Sequence, residues 1–265
     1  MLKRIGLAVS VVILSIGQSF SANFEPTQTG KTPFASKVVE RFIEAIGGRS
    51  AWLKINSQFV AGHLEILGGD RTATYEVYSK PPNQSLLVMK RSSGGEIKLG
   101  FDGQRAWHQI GRYEAQYEPP EKQAARKRDS DFFKYLNFEK HFPRAKVTGI
   151  GDVEGSQAYI VEALPAGEKF PERLYFDVGT GLLVRSDTYT NETGGRAGPL
   201  QVVTYYLDYR AVEGIKVAFV LVINQPDVTI ISRHSRVENN LVIDDTTFRK
   251  PLSKADLLGV PETLD

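Results

Sequence analysis

The stretch most suggestive of chemistry is D-V-G-T-G at residues 177–181, inside R-L-Y-F-D-V-G-T-G-L-L-V-R-S-D. It matches the D-x-G-T-G phosphate turn of sugar kinases and chaperone ATPases, and more loosely the D-T-G of aspartic proteases. In a nucleotide loop Asp177 would be a catalytic carboxylate. That loop needs an α/β domain behind it, with a second phosphate turn and an adenosine-binding segment downstream. Only about ninety residues follow Asp177, and all read as strands and turns. The flanks alternate, Leu174, Phe176 and Val178 against Arg173, Tyr175 and Asp177. Asp opening a turn and Gly at a left-handed position are what a hairpin requires. The expectation is therefore a hairpin, and the protease reading fails for want of a second copy.

The other candidates are weaker. Gly149-Ile150-Gly151-Asp152-Val153-Glu154-Gly155 approaches a dinucleotide fingerprint but misses its spacing and opens a strand, not a helix. His63, His108, His141 and His234 lie far apart, none paired at helical spacing. With no cysteine in the chain, a zinc site lacks its usual ligands. No G-x-S-x-G elbow marks a serine hydrolase, and no carboxylate pair stands out for acid–base work. A hydrolase would need a nucleophile and a base that the sequence does not display. The expectation is a non-enzyme without metal or cofactor.

The elements around these residues are mostly strands. The formal net charge of +2 is accounted for by Lys3 and Arg4, so nothing marks a polyanion-binding surface, and nucleic acid is not an expected partner. Those two residues begin a basic n-region. An apolar stretch from Ile5 to Ile16 follows, then Ser19-Phe20-Ser21 with small residues at −3 and −1. This is the pattern of a secretory signal peptide over 1–21, cleaved after Ser21 or Ala22, and its apolar run is short of the ~20 residues a spanning helix needs. The implied location is a bacterial periplasm, for a monomer held together without disulfides. The Asn191-Glu192-Thr193 sequon is idle in such a host.

Residues 22–33 read as a flexible leader. Thr32 as N-cap and Pro33 in the first turn open a helix whose apolar positions Phe34, Val38, Phe42 and Ile46 recur every four residues, closed by Gly47-Gly48. Ser50–Ile55 reads as a second helical turn. The period then changes to two. Strands run to Ile110, with Asp102-Gly103 as a two-residue hairpin signal. Residues 119–142 break the pattern as one helix or two, carrying Phe132, Phe133 and Leu136. Strands resume from Lys146 and end with a short one at Thr247-Phe248, before a polar tail over 253–265. The fold expected is mainly β (α+β): about ten or eleven strands in a single large curved antiparallel sheet, with no internal boundary over 34–252.

A lone curved sheet must have its concave face filled or covered. The only helical covers here are the N-terminal helix and the 119–142 segment. An apolar cavity under a helical lid is the expected result. Strand aromatics Phe101, Trp107 and Tyr175 are candidates for its lining, and Phe132, Phe133 and Leu136 for the lid.

Several stretches together resemble a known family: A-I-G-G closing the first helix, F-D-G-Q-R-A-W at 101–107, G-S-Q-A-Y-I-V-E at 155–162, L-Y-F-D-V-G-T-G-L-L-V-R at 174–185, L-D-Y-R-A-V-E-G-I-K-V at 207–217 and D-D-T-T-F-R-K-P at 244–251. In this order they look like the outer-membrane lipoprotein-sorting, LolA/LolB-like superfamily, in a divergent bacterial branch. The resemblance implies an unclosed β-barrel with a helical lid over a cavity that holds acyl chains. It implies a periplasmic carrier for the acyl chains of a lipoprotein or another lipid, with an envelope protein as a further partner. The alternative is a non-catalytic cell-envelope interaction module of the same fold with a filled interior. The lid-tethering arginine of the family's carriers is matched to no position here. The lipid-anchored receptor of the family uses a cysteine that this chain lacks.

Overall fold

The computed structural model describes residues 33–68, 71–190 and 199–253. The signal segment, Thr32, the 191–193 sequon and nearly all of the polar tail lie outside them. Among the described residues thirteen strands make one antiparallel sheet in the order β6-β5-β4-β3-β2-β1-β13-β12-β11-β10-β9-β8-β7. The sheet is not closed, because β6 and β7 stand at its two ends. The strands are β1 Gln58–Ile66, β2 Thr72–Lys80, β3 Gln84–Arg91, β4 Glu96–Phe101, β5 Ala106–Ile110, β6 Gln116–Tyr117, β7 Lys146–Val153, β8 Ser156–Ala163, β9 Glu172–Asp177, β10 Leu183–Thr190, β11 Leu200–Val212, β12 Ile215–Gln225 and β13 Val228–Asn239. The helices are α1 Ala35–Ala45, α2 Arg49–Trp52, α3 Pro120–Asp129 and α4 Phe138–His141. Packing divides the chain into two compact units.

Of the described residues, unit 1 holds 33–51, 65–68, 135–190 and 199–233, with α1, α4 and β7–β12 as its whole elements. The four-residue stripe of α1 buries Val38, Val39, Phe42 and Ile43. The helix starts later than its sequence signal. Phe34, extended at ψ 147, is the cap, and its carbonyl accepts from Lys37 and Val38 without a side-chain cap. Phe42 meets Phe176 of β9 at 5.4 Å and Tyr135 at 5.0 Å between ring centroids. Gly47 lets the chain turn closely past β12. It has φ 119, and a Cβ there would stand 2.4 Å from the Gly214 carbonyl oxygen.

The Asp177 stretch is the β9–β10 hairpin. Asp177 Oδ1 accepts from the Thr180 amide at 2.6 Å and from its hydroxyl at 2.7 Å, and Gly181 takes φ 76. Residues 149–155 run along β7 into the β7–β8 hairpin, where Glu154 and Gly155 are left-handed.

Of the described residues, unit 2 holds 52–64, 71–134 and 234–253, with β2–β6, α3 and the 3-10 turn Asp245–Phe248 as its whole elements. The β4–β5 loop is four residues long, not two. Asp102 Oδ1 accepts from the Gln104 and Arg105 amides, which fixes the register Phe101↔Ala106. The short strand expected at Thr247-Phe248 is that 3-10 turn, because Asp244 Oδ1 caps the Thr246 amide at 2.8 Å. The 119–142 segment is two helices, α3 and α4, the second in unit 1.

Candidate functional site

Residues paired across antiparallel strands share a sheet face, so register assigns every side chain. In unit 1 one row reads Val161, Leu174, Ser186, Thr204, Ile223, Ile230. Phe176 lies on the same face, and its contact with Phe42 places α1 there. Ile230, at the far end of the row, is fully buried, and the helix packs on Phe176 at the near end. Val161, Leu174 and Phe176 beside it are buried, whereas Val202, Thr204, Tyr206, Leu221 and Ile223 on β11 and β12 remain partly exposed. The Tyr206 hydroxyl bonds Ser186 Oγ at 3.1 Å. Burial pushes the Tyr135 hydroxyl well above its ordinary pKa, helped by Tyr206, Tyr209 and Glu172, and burial raises Tyr206 too. Both rings nevertheless keep some accessible surface.

In unit 2 the face carrying α3 has three rows: Tyr75, Met89, Ile97, Ile110; Val77, Leu87, Leu99, His108; and Ser79, Ser85, Phe101, Ala106. Ser130, just after α3, bonds Ser85 hydroxyl to hydroxyl at 2.9 Å. The Gln123 side chain accepts from the Ala106 amide at 2.8 Å and donates to the Ala106 and Glu118 carbonyls. The middle row is the open one. Val77, Leu87 and Leu99 are partly exposed, while Tyr75, Met89, Ile97, Phe101 and Ala106 are buried.

At the end of that open row sits an ion cluster. Glu118, 7% exposed, has His108 Nδ1 at 3.3 Å, Lys122 Nζ at 3.5 Å and an Arg126 amino group at 3.9 Å. The His108 imidazole first, then the two cations, hold its carboxyl down to about 2 against the opposing effect of burial. A carboxyl this acidic is a poor proton acceptor at neutral pH. The cluster ties α3 to β5.

The six aromatic and aliphatic candidates separate by unit and by face. Phe101 is buried on the α3 face. Phe132 and Phe133 follow α3, stacked edge-on at 5.1 Å, with Phe132 also 6.4 Å from Trp52. Trp107 lies on the opposite face, because Gly100 and Trp107 are the paired residues. There its Nε1 donates to the Phe248 carbonyl at 2.8 Å, and it packs with Leu86, Ala115 and Phe248. Leu136 and Tyr175 belong to unit 1. The Leu136 carbonyl accepts from Arg49 at 3.3 Å. Tyr175 is on the face away from α1, donating to Asp187 Oδ2 at 3.0 Å beneath Arg185. The open residues Leu87, Leu99, Val202, Leu221 and Ile223 carried no signal beyond ordinary strand alternation. Among the described residues no cluster of His, Asp and Glu could hold a metal, and no helix is long and apolar enough to cross a membrane.

Three solved structures share this arrangement over most of their length. A LolA superfamily protein from Nitrosomonas europaea aligns at a TM-score of 0.55 and 13% identity, covering 82% of this chain and 98% of that one. The fold is LolA-like. A putative outer membrane lipoprotein-sorting protein domain from Vibrio parahaemolyticus aligns at 0.55 and 8%, covering 81% and 96%. A DUF1329 family protein from Desulfovibrio piger aligns at 0.55 and 12%, covering 80% and 96%. No protein-family profile and no curated protein sequence matches the chain. Within the LolA-like fold, then, the apolar residues left partly open beside α1 and α3 are the candidate functional surface.

Proposed function

We propose that the protein is an exported, periplasmic carrier that binds acyl chains on the helix-bearing faces of its LolA-like sheet, by burial and without bond chemistry. One observation carries the reading: α1 and α3 each leave apolar residues of their own face partly open, Val202, Leu221 and Ile223 in one unit and Val77, Leu87 and Leu99 in the other. Apolar surface of this kind gains about 0.8 kcal/mol per CH₂ it removes from water, so a single long chain binds usefully and reversibly. The lipoprotein-sorting relative of the same fold supports the direction of the reading. A lipoprotein's acyl chains, or those of another envelope lipid, are the proposed cargo, and an envelope protein would receive it.

The test is lipid extraction and mass spectrometry of the full chain purified from a bacterial periplasm. The expected result is recovered acyl lipid, reduced by Leu221→Asp and by Leu87→Asp with folding kept. Protein that is repeatedly lipid-free and ignores long-chain fatty-acid probes would favour the filled interaction module instead.

A further inference from the structure

Unit 2 has a cleft of about 670 Å³ on the face turned away from α3, between β2–β5 and the segment 246–252. Its floor is the row Tyr78, Leu86, Gly100, Trp107 with the adjoining Val88. Pro251 and Leu252 form an apolar wall. The floor is fixed in place. The indole lies flat on Gly100, where a Cβ would come within 2.1 Å of it, and is held by its hydrogen bond to Phe248. The size falls in the range of small-molecule sites, roughly 300–1,000 Å³.

The charges at the rim are not equivalent. Glu96 is engaged by Lys98 at 3.0 Å and Lys90 at 4.0 Å, and Glu76 accepts from the Tyr78 hydroxyl at 3.0 Å. The Lys250 ammonium lies 5.4 Å over Tyr117. The exposed Arg249 guanidinium makes no hydrogen bond or ion pair among the described residues; the nearby Asp244 carboxyl is held below its ordinary pKa first by the Thr246 hydroxyl and amide, with the Arg249 charge a lesser contribution. Both acids at the rim are thus partnered within the protein, whereas a planar five-donor cation stands open beside an apolar floor. A carboxylate or phosphate is what that donor set recognises.

We propose that this cleft binds a single-chain amphiphile with an anionic head, the alkyl chain on Tyr78, Val88, Pro251 and Leu252 above the buried Trp107, and the head on Arg249. It is a second site, distinct from the faces proposed for carriage, and it stands or falls separately from them.

Trp107 reports on it once Trp52→Phe has made it the sole tryptophan. Titrating the full chain with sodium dodecanoate and with dodecyl phosphate, below their micelle concentrations, should shift Trp107 emission saturably. Dodecanol, the uncharged analogue, should bind more weakly. Arg249→Glu should weaken both anions about tenfold or more, the value of one charge-assisted hydrogen bond, and leave dodecanol unchanged. Leu252→Asp should weaken all three. Arg249 and Leu252 are exposed, so these variants fold, and circular dichroism checks it. Absence of a saturable response to both anions would overturn the proposal, as would a response indifferent to Arg249→Glu.

Discussion

Glu118→Gln isolates what the ionised carboxylate contributes to holding α3 on its sheet. Gln has the shape of a protonated glutamate, so the variant behaves as wild type does in strong acid. The folded protein lowers the Glu118 pKa from 4.5 to about 2, which corresponds to about 3 kcal/mol favouring the ionised form. Lowering a carboxylate's folded pKa stabilises the protein above its unfolded pKa, and that contribution is lost as pH falls through the folded value. At pH 7 the variant should therefore be less stable by about 3 kcal/mol, an upper figure because Lys122 and Arg126 are partly solvated. At pH 3 the gap should be about half as large, and near pH 2 it should be closing. Both tryptophans, Trp52 and Trp107, lie in unit 2 with Glu118, so urea titrations followed by tryptophan fluorescence read the correct unit. A difference that stays constant from pH 7 to pH 3 would refute the reasoning, as would no difference at pH 7.

Other changes follow from close contacts and buried groups. Gly100→Ala should displace the Trp107 indole and cost about 1–3 kcal/mol, seen as a lower urea midpoint and altered tryptophan emission. Gly47→Ala, which meets the Gly214 carbonyl and holds φ 119, should destabilise unit 1, read as a lower midpoint by far-UV circular dichroism. Tyr75→Phe removes the 2.5 Å hydrogen bond to His234 and should cost about 1 kcal/mol in thermal unfolding. Burial lowers the His234 pKa, so the folded state resists its protonation. Stability should decline as pH falls below about 6.5, and His234→Asn should flatten that decline.

Much of the fold could be read from turn chemistry and periodicity. Asp177 and Gly181 specify a hairpin whatever the D-x-G-T-G pattern invites, and the spacing of Val38 and Phe42 marks a helix with one apolar face. The strand β6 escaped because two residues show no period, and Thr247-Phe248 passes for a strand only if the Asp244 cap is overlooked. Which face each aromatic takes was hidden for a different reason. Any even-numbered β4–β5 loop, two residues or four, puts Trp107 on the face opposite Phe101, but which of those two faces a helix covers depends on tertiary packing that no local pattern carries. The open rows were hidden too, because Leu87 and Leu221 alternate as buried residues do, and only the reach of the covering helices distinguishes them.

The central claim, that the helix-bearing faces carry acyl chains, is tested most directly by mass spectrometry of lipid extracted from the purified full chain. Acyl lipid should be recovered in stoichiometric amount from the wild type and be reduced in folded Leu221→Asp. Lipid-free wild-type protein, or a lipid yield that Leu221→Asp leaves unchanged, would contradict it.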